Sequence, residues 1–263
     1  MIKLKIRMPK YRTDKEANNF FKKIGIKDLD NFFLSDKPKI KKKIEKKTYK
    51  PNMIDLASLY EIIILHKRTT VLEFGSGWSS LVIAHALKFL KKKYSTKIKK
   101  IRRSNPFELF ILENERKYLS ITKKRLKNFK GVKINYFLSE VVMTNYNGKI
   151  ATKYSNLPMC NPDFIYLDGP DQFRVKKSKN SFSTSHPDLM PMASDILKIE
   201  YFLIPGTIIL VDGRGANVNF LKNNFQRKWK YVRLDKTDQH MFVLIDKPLG
   251  NINKNQIKYY NSN

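Results

Sequence analysis

The sequence predicts an α/β fold in which a mostly parallel sheet is covered by helices on both faces. Five short, nearly continuous apolar segments alternate with helical patterns. That alternation is typical of parallel strands that are buried on both sides. Two further apolar segments near the carboxyl terminus are separated by only a short turn, which predicts an antiparallel hairpin at one end of the sheet.

The predicted elements follow one another from residue 55, where a helical pattern begins. Strands are predicted at 71–74, 107–112, 132–137, 163–167 and 207–211, helices between them at 79–90, 116–129, 192–203 and 216–225, and the hairpin at 231–234 and 241–245. The lysine-rich residues 91–103 are predicted to form a surface loop. Residues 17–21 and 29–34 are predicted to form short helices that pack aromatic side chains on the main domain.

The net charge of +30 comes from 53 Lys and Arg residues against 23 Asp and Glu residues. Such an excess predicts attraction to nucleic acid or another polyanion. The composition also has a plainer explanation, because Lys far outnumbers Arg and an AT-rich genome produces that bias without any partner. The strongly basic run 37–47 lies in a predicted amino-terminal appendage, residues 1–50, which precedes a main domain at 51–248 and a tail at 249–263.

Several classes of protein are disfavoured by the composition. No segment has the roughly 18 or more consecutive apolar residues of a membrane span, and the basic start lacks the apolar core of a secretory signal. One cysteine, Cys160, cannot form an internal disulfide framework or a zinc cluster. The expected location is the cytoplasm.

Polar residues follow every predicted parallel strand, at the edge where ligands bind in open α/β sheets. The first strand leads into a glycine bend, whose glycines allow a ligand to approach the backbone and whose following helix offers free N–H groups. An acid at the end of the second strand can accept both ribose hydroxyl protons of a nucleotide. The residues at the strand ends are Glu73, Gly75, Ser76, Gly77, Trp78, Ser79, Glu113, Ser139, Glu140, Asp168 and Asp212.

These motifs resemble those of class I S-adenosylmethionine-dependent methyltransferases, which have a Rossmann-like fold. The resemblance covers roughly residues 55–246 and rests on Glu73-Phe74-Gly75-Ser76-Gly77, on the acids after the second and fourth strands, and on the closing hairpin. It implies S-adenosylmethionine as cofactor, with Glu73 at the methionyl amine, Glu113 at the ribose and Ser139-Glu140 at the adenine. Segments around residues 163–173 and 205–222 also look like methyltransferase-like proteins of bacterial carbohydrate or surface-polymer clusters, which implies a sugar or glycan hydroxyl as acceptor.

Asp168, Asp212 and His186 are the candidates for a base that takes the proton of an acceptor hydroxyl. His186 lies in a long polar segment, 171–190, that is predicted to be a substrate lid. A metal is not expected, because Gly213 stands where metal-dependent catechol-type enzymes have Asn beside Asp. Two alternatives stay open: an RNA-directed methyltransferase that uses the basic run 37–47, and a non-enzymatic or dinucleotide-binding Rossmann protein.

Overall fold

A seven-stranded sheet forms the centre of the protein in the computed structural model, which describes residues 2–26, 29, 51–179 and 181–262. The strands are β1 (Thr70–Phe74), β2 (Glu108–Glu113), β3 (Lys133–Leu138), β4 (Val141–Tyr146), β5 (Lys149–Tyr154), β6 (Phe164–Leu167), β7 (Ile208–Asp212), β8 (Trp229–Leu234) and β9 (Gln239–Leu244). The α-helices are α1 (Asp14–Lys23), α2 (Met53–Leu65), α3 (Trp78–Lys99), α4 (Arg116–Leu126), α5 (Asp195–Ile199), α6 (Gly215–Asn224) and α7 (Gly250–Asn261). Short 3-10 turns lie at Gln172–Arg174 and Glu200–Phe202.

The strand order of the large sheet is β3-β2-β1-β6-β7-β9-β8. Strands β1, β2, β3, β6 and β7 run parallel, and β9 is antiparallel to both β7 and β8. The central strands are buried along their whole length because helices or a second sheet cover both faces. The predicted mostly parallel, Rossmann-like sheet with its carboxyl-terminal hairpin is therefore confirmed.

The side chains of alternate residues along the central strands pack into two separate hydrophobic cores, one on each face of the sheet. Val71 of β1 packs in a core formed with α1, α2, α3, α4 and α7, whereas its neighbour Leu72 packs in a core formed with the β4–β5 hairpin, α5 and α6. This alternation follows from the pleat, which points successive side chains to opposite faces. The result is a three-layer arrangement whose parallel strands all present their carboxyl ends at one edge.

The lysine-rich stretch predicted to be a loop is helical, so that prediction is wrong. Helix α3 runs to Lys99 without interruption. Lysine is a good helix former, and neither glycine nor proline breaks the stretch. Leu90, Tyr94 and Ile98 recur every four residues and face the core, so the lysines between them simply occupy the solvent side.

The hairpin of β4 and β5 has no counterpart in the sequence prediction. Asn147 and Gly148 form its turn with φ values of 47° and 75°, the left-handed conformations that an Asn-Gly turn favours. The helix predicted at 192–203 is accordingly shorter. Thr152 of β5 donates its N–H to the carbonyl of Met192 and accepts from the N–H of Ser194, which holds this stretch extended before α5.

Both ends of the described chain pack on the large sheet. Phe21 of α1 is fully buried, and the N–H of Ile2 donates to the carbonyl of Ile245. The last residues form α7, which buries Tyr259 and Tyr260. The residues predicted to form an appendage and a tail thus contribute to the same core, while the basic run 37–47 lies outside the described residues. No described helix is both long and apolar enough to cross a bilayer.

Candidate functional site

The carboxyl ends of β1, β2, β6 and β7 open onto one cavity of about 470 Å³, called here the main cleft. Its volume lies within the range of about 300–1,000 Å³ that is typical of small-molecule sites. Eight of the residues predicted from the strand ends line it: Gly75, Ser76, Gly77, Trp78, Ser79, Glu113, Asp168 and Asp212. The sheet edge therefore brings together most of the predicted site.

The bend after β1 is fixed by a backbone contact with the loop after β6. Gly75 has a φ of +98°, a conformation that other residues rarely adopt, and its N–H donates to the carbonyl of Leu112 at 2.8 Å. A Cβ at Gly169 would lie 2.7 Å from the Gly75 nitrogen. Neither loop has room for a side chain at this point, so the two glycines set the spacing of the cleft floor.

Glu73 lies beneath the glycine bend and does not line the main cleft. Its carboxylate is fully buried and accepts hydrogen bonds from the hydroxyls of Ser79 at 2.5 Å and Ser80 at 2.7 Å. Burial raises the pKa of Glu73 to about 8, although the two hydroxyl donors oppose that shift. The contact of Glu73 with the cleft is therefore indirect and passes through Ser79.

Glu113 ends β2 with its carboxylate at the cleft wall. Its Oε1 accepts the N–H groups of Asn114 and Glu115, at 2.8 and 2.9 Å, and its Oε2 accepts the Ser76 hydroxyl at 2.7 Å. Burial raises the pKa of Glu113. Because a carboxylate oxygen has about two acceptor sites, Oε2 keeps capacity for one more donor, whereas Oε1 is saturated.

The first turn of α3 forms another part of the wall. Gly77 precedes the helix, and a Cβ there would meet no described protein atom nearer than the Ser79 hydroxyl at 3.9 Å. The N–H groups of a first helical turn lack partners within the helix and favour an anion. Trp78 lies against the guanidinium of Arg125 from α4, with 3.7 Å between the ring centre and the Arg125 Cζ.

Three aspartates line the opposite part of the main cleft. Asp168 directly follows β6, and Asp212 is the last residue of β7. Asp55 comes from the first turn of α2. Asp212 accepts the Tyr166 hydroxyl at 2.7 Å. Desolvation by the cleft walls, followed by the carboxylate of Asp212, raises the pKa of Asp168 and of Asp55, and that of Asp55 reaches about 7.

Arg214 provides a positive charge beside these aspartates, and the sequence analysis did not include it among the site residues. Its Nη2 donates to the carbonyls of Asp168 at 2.6 Å and Pro170 at 3.0 Å, and so holds the loop after β6. Its charge partly offsets the rise in the pKa of Asp168. The position of Arg214, two residues after the last strand-end acid, was a signal for it.

Asp55 and Tyr118 were also missed as cleft residues. Both come from helices, and each lies in a helical pattern that the sequence prediction read only for its apolar face. The Asp55 Oδ1 is buried without a hydrogen-bond partner among the described residues, which is unusual for a helix-start acid that serves structure alone. Asp55 lies far from any strand end in the sequence, and Tyr118 lies in the helix after β2, so only the tertiary packing shows that both face the cleft.

Three predicted site residues lie away from the main cleft. The Ser139 hydroxyl accepts the N–H of Asn156, and Glu140 forms an exposed ion pair with Lys176. The two residues directly after the β4–β5 hairpin bond to both of them, because the N–H of Ser155 also donates to the Glu140 carbonyl at 2.8 Å. His186 is exposed on the segment after β6, where its Nδ1 accepts the N–H of Asp188 at 3.1 Å. None of the three lines the main cleft, although the Ser139 N–H donates to the carbonyl of Glu113 at 2.9 Å.

Both ends of the segment predicted to be a lid lie at the edge of the cleft. Asp171, Gln172, Phe173 and Met190 line the cavity, and Gln172 donates to the carbonyls of His186 and Pro187 at 2.9 Å. Among the residues that the structure describes, no group of three or more His, Cys, Asp or Glu side chains is placed to hold a metal ion.

Comparisons with known proteins give only distant likenesses. No protein-family model and no curated protein sequence matches the chain. A Podospora anserina methyltransferase solved with SAH aligns at 13% identity and a TM-score of 0.41, over 90% of this chain and 91% of that one. A Bacillus cereus O-methyltransferase in complex with SAH aligns at 12% identity and 0.41, over 88% and 97%. A methyltransferase-like protein of Silicibacter pomeroyi aligns at 12% and 0.38, over 81% and 96%. At these levels the alignments carry no functional inference, which rests instead on the residues of the cleft.

Proposed function

We propose that this chain transfers a methyl group from S-adenosylmethionine to a hydroxyl group of a sugar, a glycan or another small molecule. The observation that carries the proposal is the composition of the main cleft. A glycine bend, the acid that ends β2 and a group of aspartates face one cavity at the carboxyl edge of a mostly parallel sheet with a carboxyl-terminal hairpin. That is the combination of positions that the resemblance to class I methyltransferases implies.

The part of the cleft between β1, β2 and α4 fits an adenosine-bearing cofactor. The Glu113 Oε2 can accept one ribose hydroxyl, and the Ser76 hydroxyl, whose proton already goes to Glu113, can accept a second hydrogen bond. The space left open at Gly77 allows a ligand to approach the backbone, and the start of α3 suits a carboxylate. When bound, S-adenosylmethionine supplies an electrophilic methyl group on a sulfonium.

Glu73 acts as a positioning residue in this proposal. It fixes the hydroxyls of Ser79 and Ser80 at the start of α3 and so orients the wall that meets the methionyl end of the cofactor. A cation nearby would lower the pKa of this buried acid from its value of about 8. The predicted direct contact of Glu73 with the methionyl amine is replaced here by a contact through Ser79.

Asp168 is the proposed base that takes the proton of the acceptor hydroxyl. Its side chain is open to the cleft, and the raised pKa makes it a stronger base than an ordinary carboxylate. Asp212 lies beside it and is held by Tyr166, and Asp55 faces the same space from α2. These acids also disfavour a dinucleotide, because the charges of a pyrophosphate would be repelled.

The test is calorimetry of the full chain with S-adenosylmethionine, its demethylated product and NAD. We expect micromolar binding of the first two and none of NAD. Glu113→Ala should abolish most of that binding. Glu108→Ala is the matched control, since Glu108 begins the same strand at the opposite edge and pairs with Lys133. Binding of NAD, or equal binding by wild type and Glu113→Ala, contradicts the proposal.

An RNA acceptor is a second candidate, favoured by the surface of α3 and α4. No Asp or Glu occurs at 76–107 or at 116–139, and the exposed side of both helices carries lysines such as Lys92 and Lys124. Lysines on one face suit phosphate contacts. The logarithm of the RNA-binding constant should then fall steeply and linearly with the logarithm of salt concentration. A flat salt dependence removes this candidate.

A further inference from the structure

A second cavity of about 300 Å³, called here the hairpin cavity, lies beside the main cleft. Its walls are the β4–β5 hairpin, the segment that returns from β6 towards α5, and the first turn of α6. The lining is mostly apolar and includes Met143, Met190, Met192, Ile150, Leu189 and Phe182. The residues proposed to bind the cofactor and to take the acceptor proton all lie outside this cavity.

The hairpin cavity adjoins the main cleft at a shared side chain. Met190 lines both cavities, and its sulfur lies 3.7 Å from the Arg214 Nη1. Arg214 in turn holds the carbonyl of Asp168, the proposed base. A molecule that reaches from one cavity into the other would therefore pass directly beside the residues proposed to act on the acceptor.

Thr152 is an independent reason to consider a ligand in the hairpin cavity, because it contributes an unpaired polar group to the wall. It is fully buried in β5 and lines the cavity, and its hydroxyl has no hydrogen-bond partner among the described residues. The backbone N–H and carbonyl of Thr152 are both bonded to the 192–194 stretch, so only the hydroxyl lacks a partner. Buried hydroxyls are normally paired, and a polar substituent of a bound molecule would supply the partner.

The chemistry of the lining indicates what kind of group would bind. Methionine sulfurs make favourable contacts with aromatic rings and adapt to a ring's shape, and three methionines and a phenylalanine surround this space. A bare sugar would need several hydrogen-bond partners. The lining offers few, because the Thr184 hydroxyl already donates to the carbonyl of Gln172 and Asp188 is exposed at the rim.

We propose that the hairpin cavity binds an aromatic group of the methyl acceptor, with one polar substituent bonded to the Thr152 hydroxyl. The inference rests on the proposed methyl transfer and narrows its acceptor to a small aromatic molecule. The acceptor hydroxyl then projects past Met190 towards Asp168. The segment predicted to be a lid forms one wall of this cavity, and in this proposal it contacts the bound acceptor directly.

The experiment uses 2-naphthol as probe and measures its fluorescence on titration with the full chain. Wild type should show saturable binding at one site. Ala216→Leu, which adds volume at the exposed first turn of α6 inside the cavity lining, should weaken binding about tenfold or more. Asn219→Leu is the matched control, an exposed position on the same helix outside both linings, and should bind as wild type does.

A second variant tests the hydrogen bond. Thr152→Val keeps the shape and removes the hydroxyl, and it should weaken 2-naphthol binding about two- to tenfold while leaving naphthalene binding unchanged. Absence of saturable binding, an equal loss in Asn219→Leu, or preference for methyl glucoside over 2-naphthol overturns the inference. Circular dichroism confirms that each variant is folded.

Calorimetry with S-adenosylmethionine on the same samples separates the two proposals. If the cofactor binds and 2-naphthol does not, the aromatic site fails and methyl transfer stands. If 2-naphthol binds with the expected variant pattern and the cofactor does not, the cavity is an aromatic site and the methyl transfer proposal fails.

Discussion

An aspartate lies at each end of strand β6, and the two differ in their hydrogen-bond partners and in their access to the main cleft. Asp163, before the strand, is fully buried and accepts the N–H groups of Thr69 and Thr70 and the hydroxyl of Tyr260, with the Arg102 guanidinium at 3.6 Å. Asp168, after the strand, faces the main cleft beside another carboxylate.

The difference separates stabilising acids from acids available to a ligand. At the amino edge of the sheet every oxygen of the acid is paired, so burial of the charge is compensated. At the carboxyl edge, desolvation and the Asp212 carboxylate outweigh the partial compensation by Arg214, and the pKa of Asp168 rises as a result. The same residue type on one strand therefore supports the fold at one edge and retains its chemistry at the other.

The largest effect is expected for Asp168→Asn. The substitution removes the proposed base with little change of shape, and methyl transfer should fall about 10²- to 10⁴-fold. The free energy of unfolding should stay the same or increase, because a neutral amide avoids the repulsion between the carboxylates of Asp168 and Asp212. Single-turnover methyl transfer with a radiolabelled cofactor and urea unfolding measure the two quantities. An unchanged rate removes Asp168 as the base.

The reverse pattern is expected for Asp163→Ala. The variant leaves Arg102 and the Thr69 and Thr70 N–H groups buried without their partner, and the free energy of unfolding should fall by about 3–5 kcal/mol. Cofactor binding by the molecules that stay folded should be unchanged, since the site lies at the other edge. Urea unfolding at neutral pH measures the free energy of unfolding, and calorimetry measures the affinity for the cofactor. A loss below about 1 kcal/mol would contradict the assigned role.

A smaller effect concerns the pH dependence of stability. Asp55 has a pKa of about 7 and Glu73 one of about 8, both raised above the ordinary carboxyl value. Between about pH 4 and pH 7 the folded state thus keeps protons that the unfolded state has lost, so the free energy of unfolding decreases as the pH rises. Asp55→Asn should flatten this slope in urea unfolding measured from pH 5 to pH 8.

The control for that slope is Asp235→Asn, an exposed acid in the turn between β8 and β9. It should leave the pH dependence as in wild type. A slope of the opposite sign in wild type, with stability increasing towards pH 8, would show that the acids of the main cleft are compensated in the folded state.

The smallest effects are expected for the predicted residues that lie outside the cleft. Glu140→Ala removes an exposed ion pair with Lys176, which solvent screens, and His186→Ala removes an exposed loop side chain. Neither variant should change cofactor affinity or the rate of methyl transfer. Calorimetry and the same transfer assay check both. A large loss of activity in His186→Ala would restore it as a catalytic candidate.

The sequence predicted the sheet and its acidic edge because both depend on local patterns. Apolar strands of this length are recognisable, and parallel topology necessarily places Glu113, Asp168 and Asp212 at one edge. Asp55 escaped prediction because its approach to that edge depends on how α2 packs. No local pattern encodes the distance between a helix start and a strand end that are far apart in the chain.

The placement of Ser139 and Glu140 shows a different limit. Their predicted role came from the resemblance, through their position after the third strand, and took no account of the β4–β5 hairpin that follows them. The Asn147-Gly148 pair between alternating residues was a usable sign of that hairpin. Glu73 was located correctly on β1, but its bonds to two serine hydroxyls turn it away from the cleft, and such side-chain orientation is set only by packing.

The backbone contact between Gly75 and Gly169 has a consequence for how fast a ligand can bind. Because main-chain atoms fix the floor of the cleft, its width should change little when a ligand binds, and little conformational entropy should be lost on association. Association should then be limited by diffusion and orientation instead of by a slow closing step, with rate constants of about 10⁵–10⁷ M⁻¹s⁻¹. Differences in affinity among ligands would consequently arise in their dissociation rates.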